Sequence, residues 1–272
     1  MAQLTPNAPQ VGERLFSLDF FRGFTMFLLV AEATHIYALM VAPELEGSII
    51  YAIGTQFHHH PWNGLRFWDL IQPFFMFIVG VAIPYSVANR KKRGQTQGQL
   101  LRHTIKRSLI LLFLGWSLYC IHIGKIGWHF QNVLAQLSVT YLIAFLLQNK
   151  PVRTQIIVSL MLLVITELIY RFFPVEGFNM PFVADKNFGT WLDLQYNGAD
   201  LSGHWVSFNA VPTTAHTIWG VLAGQLLRSN KTHMQKLKIL LIAGIIGVVA
   251  GYALNPITPI IKRICTSSFV LA

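Results

Sequence analysis

Long apolar runs separated by short polar segments set the pattern of this chain. A helix needs about 20 residues to cross a bilayer core of roughly 30 Å. Seven of the runs are close to this length. They cover residues 18–41, 67–88, 108–123, 133–147, 156–172, 211–227 and 239–254. A further apolar stretch begins at Ser267 and stops with the chain, as an eighth helix cut short would. The pattern predicts an all-α polytopic transmembrane helix bundle of at least seven spans, in a single domain over residues 1–272 that is incomplete at its C-terminus.

Composition supports a membrane environment. Only 12% of the 272 residues are charged and 53% are apolar, whereas soluble domains carry roughly 25% charged residues. The net charge of +10 would suit nucleic acid only if the basic residues gathered on one solvated face. They are spread between the apolar runs instead, so we expect membrane lipid as a partner and no nucleic acid.

The basic residues fall mainly in alternate loops. Because basic loops stay cytoplasmic, an N-terminus on the inner side places 15 of the 21 Lys and Arg residues inside. The inner set is Arg14, Arg22, Arg90, Lys91, Lys92, Arg93, Arg102, Lys106, Arg107, Lys150, Arg153, Arg228, Lys231, Lys236 and Lys238. The division predicts a cytoplasmic N-terminus, with anionic lipid or a cytosolic anion as the partner of this face.

Few ionisable side chains lie within the predicted spans, where they are costly and usually serve a purpose. Glu32 and His35 are three residues apart in the outer half of the first span. Asp19 and Arg22 have the same spacing at its inner end, where they either pair or anchor the helix at the interface. Glu167, late in the fifth span, faces either a cavity or the outer interface.

Polar residues of the fourth span share one helix face. Asn132, Gln136 and Thr140 are spaced by four, which places them in one row. Such a row lines a polar conduit or supplies hydrogen bonds between helices, and the sequence leaves both open.

Two cysteines, Cys120 and Cys265, are 145 positions apart. The predicted topology places both near the outer face, Cys120 late in the third span and Cys265 early in the eighth. A disulfide there is one interpretation, and two isolated buried thiols are the commoner arrangement.

The sharpest local feature is a histidine triplet in the outer loop over residues 42–66. Imidazole accepts protons near neutral pH and can also act as a nucleophile. Asp69 would orient such a ring, Asn63 would donate to a developing oxyanion, and Trp62 would stack on a sugar. Three consecutive histidines would need further ligands to hold a metal, so we expect no metal here.

A second outer loop covers residues 174–210. Its length exceeds the roughly 15 residues beyond which unstructured loops are uncommon and usually functional. Seven aromatic residues alternate with four acids and one lysine. This composition suits a lid over a sugar and favours a cationic amine as ligand. The alternative is a loop that packs on the bundle and buries its own aromatic side chains.

The order of three motifs resembles a known family. They are DFFRG at 19–23, HHPWNG at 59–64 and DLIQPFFMFIVG at 69–80. Together they resemble the transmembrane acyltransferases related to heparan-alpha-glucosaminide N-acetyltransferase, in particular uncharacterised bacterial relatives linked to N-acetylglucosamine. The segments 212–224 and 266–269 also look like family blocks, so the resemblance covers nearly the whole chain.

The resemblance implies transfer of acetyl from cytosolic acetyl-CoA to an amino sugar or glycan across the membrane. Matching the histidine three residues before the tryptophan selects His59 as the central residue, helped by Asp69 and Asn63. The expected acceptor contacts are Trp62, His60, Glu32 and His35, and the expected acetyl-CoA contacts are Arg22, Lys106 and Arg107. The family pattern has an asparagine-containing stretch where this chain has residues 31–35 (AEATH). The implied location is the bacterial inner membrane.

Two other function classes remain open from the sequence. Glu32, His35 and Glu167 would relay protons in a proton-coupled transporter for an N-acetylglucosamine-type sugar. A binding or scaffold component without turnover is the third interpretation. Assembly into a homo-oligomer is also left open by the sequence.

Overall fold

The computed structural model describes residues 15–272, which are built almost entirely of helices. Arg14 lies outside this range. Within it, β pairing is limited to an isolated bridge between Asp200 and Trp205, which confirms the all-α fold class. The helices are α1 (Phe16–Ala33), α2 (Ile36–Met40), α3 (Ile49–Gln56), α4 (Ile71–Lys92), α5 (Gln97–Ile123), α6 (Val133–Leu147), α7 (Val152–Arg171), α8 (Phe188–Gln195), α9 (Thr214–Arg228), α10 (His233–Leu254) and α11 (Ser267–Leu271), with 3-10 turns at Pro43–Leu45, Phe67–Leu70 and Ser207–Ala210.

Four helical segments of the described chain are long and apolar enough to cross a membrane. They are Phe67–Lys92, which joins a 3-10 turn to α4, together with α5, α7 and α10. Large apolar side chains are exposed along α5, α7 and α10, as expected of helices whose solvent is lipid. The shorter α6 is apolar and largely buried. These features are those of an integral membrane protein.

The first predicted span is not one continuous helix. α1 ends at Ala33, and His35 follows with a left-handed backbone (φ 60°) before α2 begins. The Thr34 hydroxyl donates to the carbonyl of Ala31 at 2.7 Å, which satisfies a helix-end acceptor and ends the helix there. The apolar run of residues 18–41 is therefore two helices with a break between them, and hydropathy alone does not predict that break.

Two other predicted boundaries move for local reasons. α5 begins at Gln97, eleven residues before the predicted span, because Thr96 and Gln99 form a capping box. The bases Arg102, Lys106 and Arg107 therefore lie on a helix rather than in a loop. The apolar segment at the end of the chain forms the short α11, most of whose residues are buried.

Close contact between α4 and α9 forms the centre of the bundle. A Cβ atom on Gly80 would overlap the Thr217 carbonyl oxygen, and one on Gly220 would overlap the Phe77 carbonyl oxygen. Small residues let helix backbones approach in this way in membrane proteins. The two helices therefore pack nearly backbone to backbone.

Hydrogen bonds between helices account for the polar row on α6. Gln136 accepts from Gln72 on α4, and the Thr140 hydroxyl lies 3.4 Å from the sulfur of Met76. Asn132 caps α6 by accepting from two backbone N–H groups at 3.0 Å. The interpretation as interhelical hydrogen bonds is confirmed.

The alternation of helices and loops gives the bundle two ends. One, which we call the basic end, holds the connections 93–96, 148–151 and 229–232 and the neighbouring helix turns. The other, the loop end, holds 41–70, 124–132, 172–213 and 255–266. Thirteen of the described Lys and Arg residues lie toward the basic end. Cys120 and Cys265 are both buried free thiols.

We expect Gly80→Ala to destabilise the protein by about 1–3 kcal/mol, because the added methyl must push α4 and α9 apart. Gly→Ala in a helix otherwise favours folding by up to about 1 kcal/mol. Gly244→Ala is the matched control, since a Cβ there meets nothing within 4 Å. Thermal unfolding in detergent micelles tests this. A Gly80→Ala midpoint at or above that of Gly244→Ala would contradict the backbone contact.

Candidate active site

His59 and Asp69 form a hydrogen-bonded pair at the loop end. His59 follows α3, and Asp69 lies in the 3-10 turn that leads into α4. The His59 Nδ1 atom is 3.0 Å from the Asp69 Oδ1 atom. Asp69 is fully buried, whereas the His59 side chain remains 37% exposed. The structure thus brings together the two residues that the sequence placed at the centre of the site.

Backbone groups hold the second oxygen of Asp69. Its Oδ2 atom accepts from the N–H of Arg66 at 2.9 Å and from the N–H of His60 at 3.2 Å. The Arg66 guanidinium donates in turn to the His59 carbonyl at 3.1 Å. Because a buried carboxylate is costly without hydrogen bonds, these contacts fix the loop around Asp69.

Lys262 and Trp205 complete the surroundings of His59, and neither was a candidate from the sequence. Lys262 Nζ lies 3.0 Å from His59 Nδ1 and 3.6 Å from Asp69 Oδ1. The Trp205 ring is 5.4 Å from the His59 ring, and its face receives Lys262 and Arg263, each at 5.3 Å from the ring centroid. Burial lowers the pKa of Lys262 to about 8.

The second ring nitrogen of His59 is the open one. Among residues 15–272, no side chain forms a hydrogen bond with Nε2. Burial lowers the pKa of His59, and this outweighs the opposite effect of its hydrogen bond to Asp69. The ring is therefore neutral near pH 7. With a proton on Nδ1 directed at Asp69, Nε2 is able to accept a proton from a ligand.

Glu167 anchors the segment that carries Lys262. Its carboxylate pairs with Arg171 at 2.6 Å and accepts from the Thr258 hydroxyl at 2.7 Å. Arg171 also donates to the Ile257 carbonyl at 2.7 Å. Glu167 therefore joins α7 to the 255–266 segment through an ion pair with Arg171, a role that the sequence did not predict.

Comparison with known proteins gives two similar relatives. The chain is 32% identical over 151 residues to heparan-alpha-glucosaminide N-acetyltransferase from Homo sapiens and 31% identical over 151 residues to the protein of that name from Mus musculus. The chain is related to this N-acetyltransferase. Each match covers 51% of the chain and 20% of the relative, so the chain spans about a fifth of the length of either. No protein-family model matches the chain.

The relationship to an N-acetyltransferase confirms the resemblance inferred from the motifs and gives a frame for the other predicted site residues. Asn63 is exposed, and its side chain forms no hydrogen bond with the described residues. Trp62 donates to the Phe182 carbonyl at 2.8 Å, so its indole N–H is held by the 174–210 loop. The His60 ring packs against Gly64. Of these three residues, Asn63 is the one that is exposed.

Within the described residues, neither Glu32 nor His35 forms a side-chain hydrogen bond to the residues around His59. Both are exposed. The charge of Glu32 acts on His59, whose pKa it raises slightly against the larger effect of burial. His35 has its main role in the backbone, where it breaks the helix between α1 and α2.

Arg22 does not lie at the inner end of the bundle, where the sequence predicted it. Its neighbour Phe21 packs on Phe74, in the first turn of α4, with ring centroids 5.0 Å apart. Arg22 is therefore nearer the loop end than the basic end. It is exposed, as is Asp19, and no ion pair joins the two.

Lys106 and Arg107 occupy two faces of α5. The Arg107 guanidinium lies over the Tyr141 ring of α6 at 4.7 Å. Lys106 borders an outward groove whose other lining residues include Ile105 and Leu109. The structure does not bring these two bases into contact with His59.

The 174–210 loop packs on the bundle and uses most of its own acids. Asp185 pairs with His204 at 2.7 Å. Asp193 is fully buried and accepts from Gln131 at 2.8 Å, and Asp200 accepts from the Tyr119 hydroxyl at 3.0 Å. Three of the four acids therefore have internal partners, so their charge does not favour a cationic ligand. Trp205 is the aromatic residue of this loop that reaches His59.

The three histidines of the triplet diverge. His58 Nδ1 lies 2.9 Å from the Gly54 carbonyl at the end of α3, whereas His59 faces Asp69 and His60 faces Gly64. Over residues 15–272, no group of three or more His, Cys, Asp or Glu side chains is arranged to hold a metal ion.

We expect Gly64→Ala to destabilise the loop end more than Gly47→Ala does. Both glycines have positive φ, at 148° and 81°, where alanine is strained. Only at Gly64 would the Cβ also meet a side chain, at 2.5 Å from His60 Nε2. Thermal unfolding of the two variants measures the difference, and equal midpoints would show that the His60 contact adds nothing.

Proposed function

We propose that the protein is a membrane-bound acyltransferase that transfers acetyl from acetyl-CoA to the amine of an amino sugar or glycan. The observation that carries the proposal is the His59–Asp69 contact, in a chain related to an N-acetyltransferase. His59 holds Nδ1 against a buried carboxylate and leaves Nε2 open. That arrangement suits general-base catalysis of acyl transfer.

The proposed reaction uses His59 as a base. The acceptor nitrogen attacks the thioester carbonyl, a C–N bond forms, and the nitrogen's proton passes to Nε2. The C–S bond then breaks, and the same proton leaves with the coenzyme A thiolate. Asp69 stabilises the imidazolium that exists between these steps, because its carboxylate lies 3.0 Å from Nδ1. Asn63, with its free amide, is the proposed donor to the oxyanion.

Further proposed contacts follow from position and charge. Trp62 and His60 belong to the same loop as His59, and the charge of Glu32 acts on His59. These three residues and His35 are proposed to contact the acceptor. A polyanionic nucleotide would be attracted to bases, and we propose Arg22, Lys106 and Arg107 as its contacts. Acetyl-CoA is a donor substrate in this scheme.

The orientation of the bundle is part of the proposal. Basic loops stay cytoplasmic, so the basic end would face the cytosol and the loop end, with His59, the opposite side. The acetyl group would then pass outward between helices to reach His59. The bacterial inner membrane is the proposed location.

The transporter alternative finds no specific support. It depends on Glu32, His35 and Glu167 as a proton relay. Glu167 is paired with Arg171, and no hydrogen bond within residues 15–272 links the three. We therefore retain the acyltransferase as the single proposed function.

We expect His59→Ala to reduce acetyl transfer by roughly 10²–10⁴-fold, the usual contribution of a general base. The measurement is the release of free coenzyme A by purified protein given acetyl-CoA and a panel of amino sugars. His58→Ala is the matched control from the same triplet, because that ring faces the Gly54 carbonyl instead. Equal rates for the two variants would show that His59 is not the base. Failure of the purified protein to bind coenzyme A would contradict the proposed acyltransferase function.

We expect Glu176→Cys to react with a membrane-impermeant maleimide in intact cells and Lys231→Cys to react only after the membrane is opened. Both positions are exposed, at the loop end and the basic end. The native thiols Cys120 and Cys265 are buried, so the background is low. The reverse labelling pattern would invert the proposed orientation.

A further inference from the structure

Two groups compete for one nitrogen of His59. Asp69 Oδ1 and Lys262 Nζ each lie 3.0 Å from Nδ1, and they reach it from segments 193 positions apart in the chain. A neutral imidazole has either a hydrogen or a lone pair on this nitrogen, never both. Nδ1 can therefore donate to Asp69 or accept from a Lys262 ammonium, but it cannot do both.

The two arrangements differ in what they leave at Nε2. When Nδ1–H donates to Asp69, Nε2 carries the lone pair and is a base. When a Lys262 ammonium donates to Nδ1, the ring proton sits on Nε2, and the open side of His59 is a donor. The choice of tautomer thus decides whether His59 can take a proton from a ligand.

Lys262 is placed to act on His59 and not on a ligand. Its side chain is only 7% exposed and contacts the Nδ1 side of the ring, whereas a ligand would approach Nε2. Within residues 15–272, Nζ has only His59 within hydrogen-bond distance, with Asp69 at 3.6 Å and the Trp205 face beside it. A buried ammonium with so few acceptors is poorly compensated.

We propose that Lys262 is a positioning residue whose own protonation state decides which nitrogen of His59 carries the proton. As the ammonium, Lys262 donates to Nδ1 and keeps Nε2 protonated. As the neutral amine, it releases Nδ1, whose hydrogen then bonds to Asp69 and frees Nε2. For the role of His59 as a base, this inference rests on the proposed function.

The groups around Lys262 and His59 set the pH range in which Lys262 changes its protonation state. Burial and, to a lesser extent, the charge of Arg263 lower the pKa of Lys262 to about 8, against the opposite effect of Asp69. Cys265 stays a neutral thiol, because burial raises its pKa to about 12. The charge of Glu32 on α1 acts on His59. As pH rises through about 8, Lys262 loses its proton and Nε2 becomes basic.

Diethyl pyrocarbonate tests this directly, because it acylates an imidazole nitrogen only through an accessible lone pair. The reagent would be applied to the full chain in detergent, and the rate at His59 read by fragmentation mass spectrometry, relative to the exposed His233. We expect the relative rate to rise roughly tenfold between one pH unit below and one above a midpoint of about 8. A midpoint in the ordinary imidazole range, about 6.5, would overturn the proposal.

Variants of Lys262 distinguish control of the His59 tautomer from a role as counter-charge for Asp69. Lys262→Met leaves Nδ1 to Asp69, so His59 should label about tenfold faster than wild type one pH unit below the midpoint. Lys262→Arg keeps a permanent donor and should label slowly on both sides of it. Lys186→Met, an exposed loop-end lysine, should match wild type. If Lys262→Arg labelling rose near pH 8 as in wild type, titration of Lys262 would not be its cause, which would overturn the proposal, because the guanidinium stays charged throughout this range. The assay needs no acetyl donor, so its failure is distinct from failure of the proposed activity.

Discussion

Burial of the Asp69 carboxylate is the constraint on which the site depends. A charge removed from water must have every oxygen satisfied, and here each partner belongs to the fold. The N–H groups of Arg66 and His60 hold one oxygen, while His59 and Lys262 approach the other. These partners come from the triplet loop and from the segment after α10, and Asp69 itself lies in the turn before α4. Satisfying one carboxylate therefore joins three parts of the chain around a single imidazole.

The rest of the loop end supports the partners of that carboxylate. Glu167 holds the segment that carries Lys262 against α7, through Thr258 and Arg171. Asp193, fully buried, accepts from the Ser207 backbone N–H at 2.9 Å and from Gln131, which fixes the loop that carries the tryptophan beside His59. Deeper in the bundle, the close contact between α4 and α9 at Gly80 and Gly220 fixes the distance between the two helices. Each support is a hydrogen-bonded polar group or a backbone contact, so several separate parts of the fold determine the geometry of the site.

Sequence reasoning predicted what depends on local pattern and missed what depends on distant contact. The bounds of α6 agree with the predicted fourth span, because apolar length and the Asn132 cap are both local. His59 and Asp69 were paired from ten positions apart. Lys262 is 203 positions from His59, and in the sequence it counts only as one more outer base. The break at His35 was missed because a single left-handed residue leaves hydropathy unchanged.

Basic residues serve two physical roles in this protein, and counting them cannot separate the roles. Those at the basic end are mostly exposed and contribute through the bulk asymmetry that orients a membrane protein. Those near His59 each have a specific partner: Arg66 on a carbonyl, Arg263 on the Gly203 carbonyl and the Trp205 face, and Lys262 on the imidazole. In this smaller group Lys262 is buried and Arg66 and Arg263 are half-buried, so water screens their interactions less than those of exposed bases. Net charge thus describes the surface, while the chemistry depends on a few bases that are partly or fully removed from water.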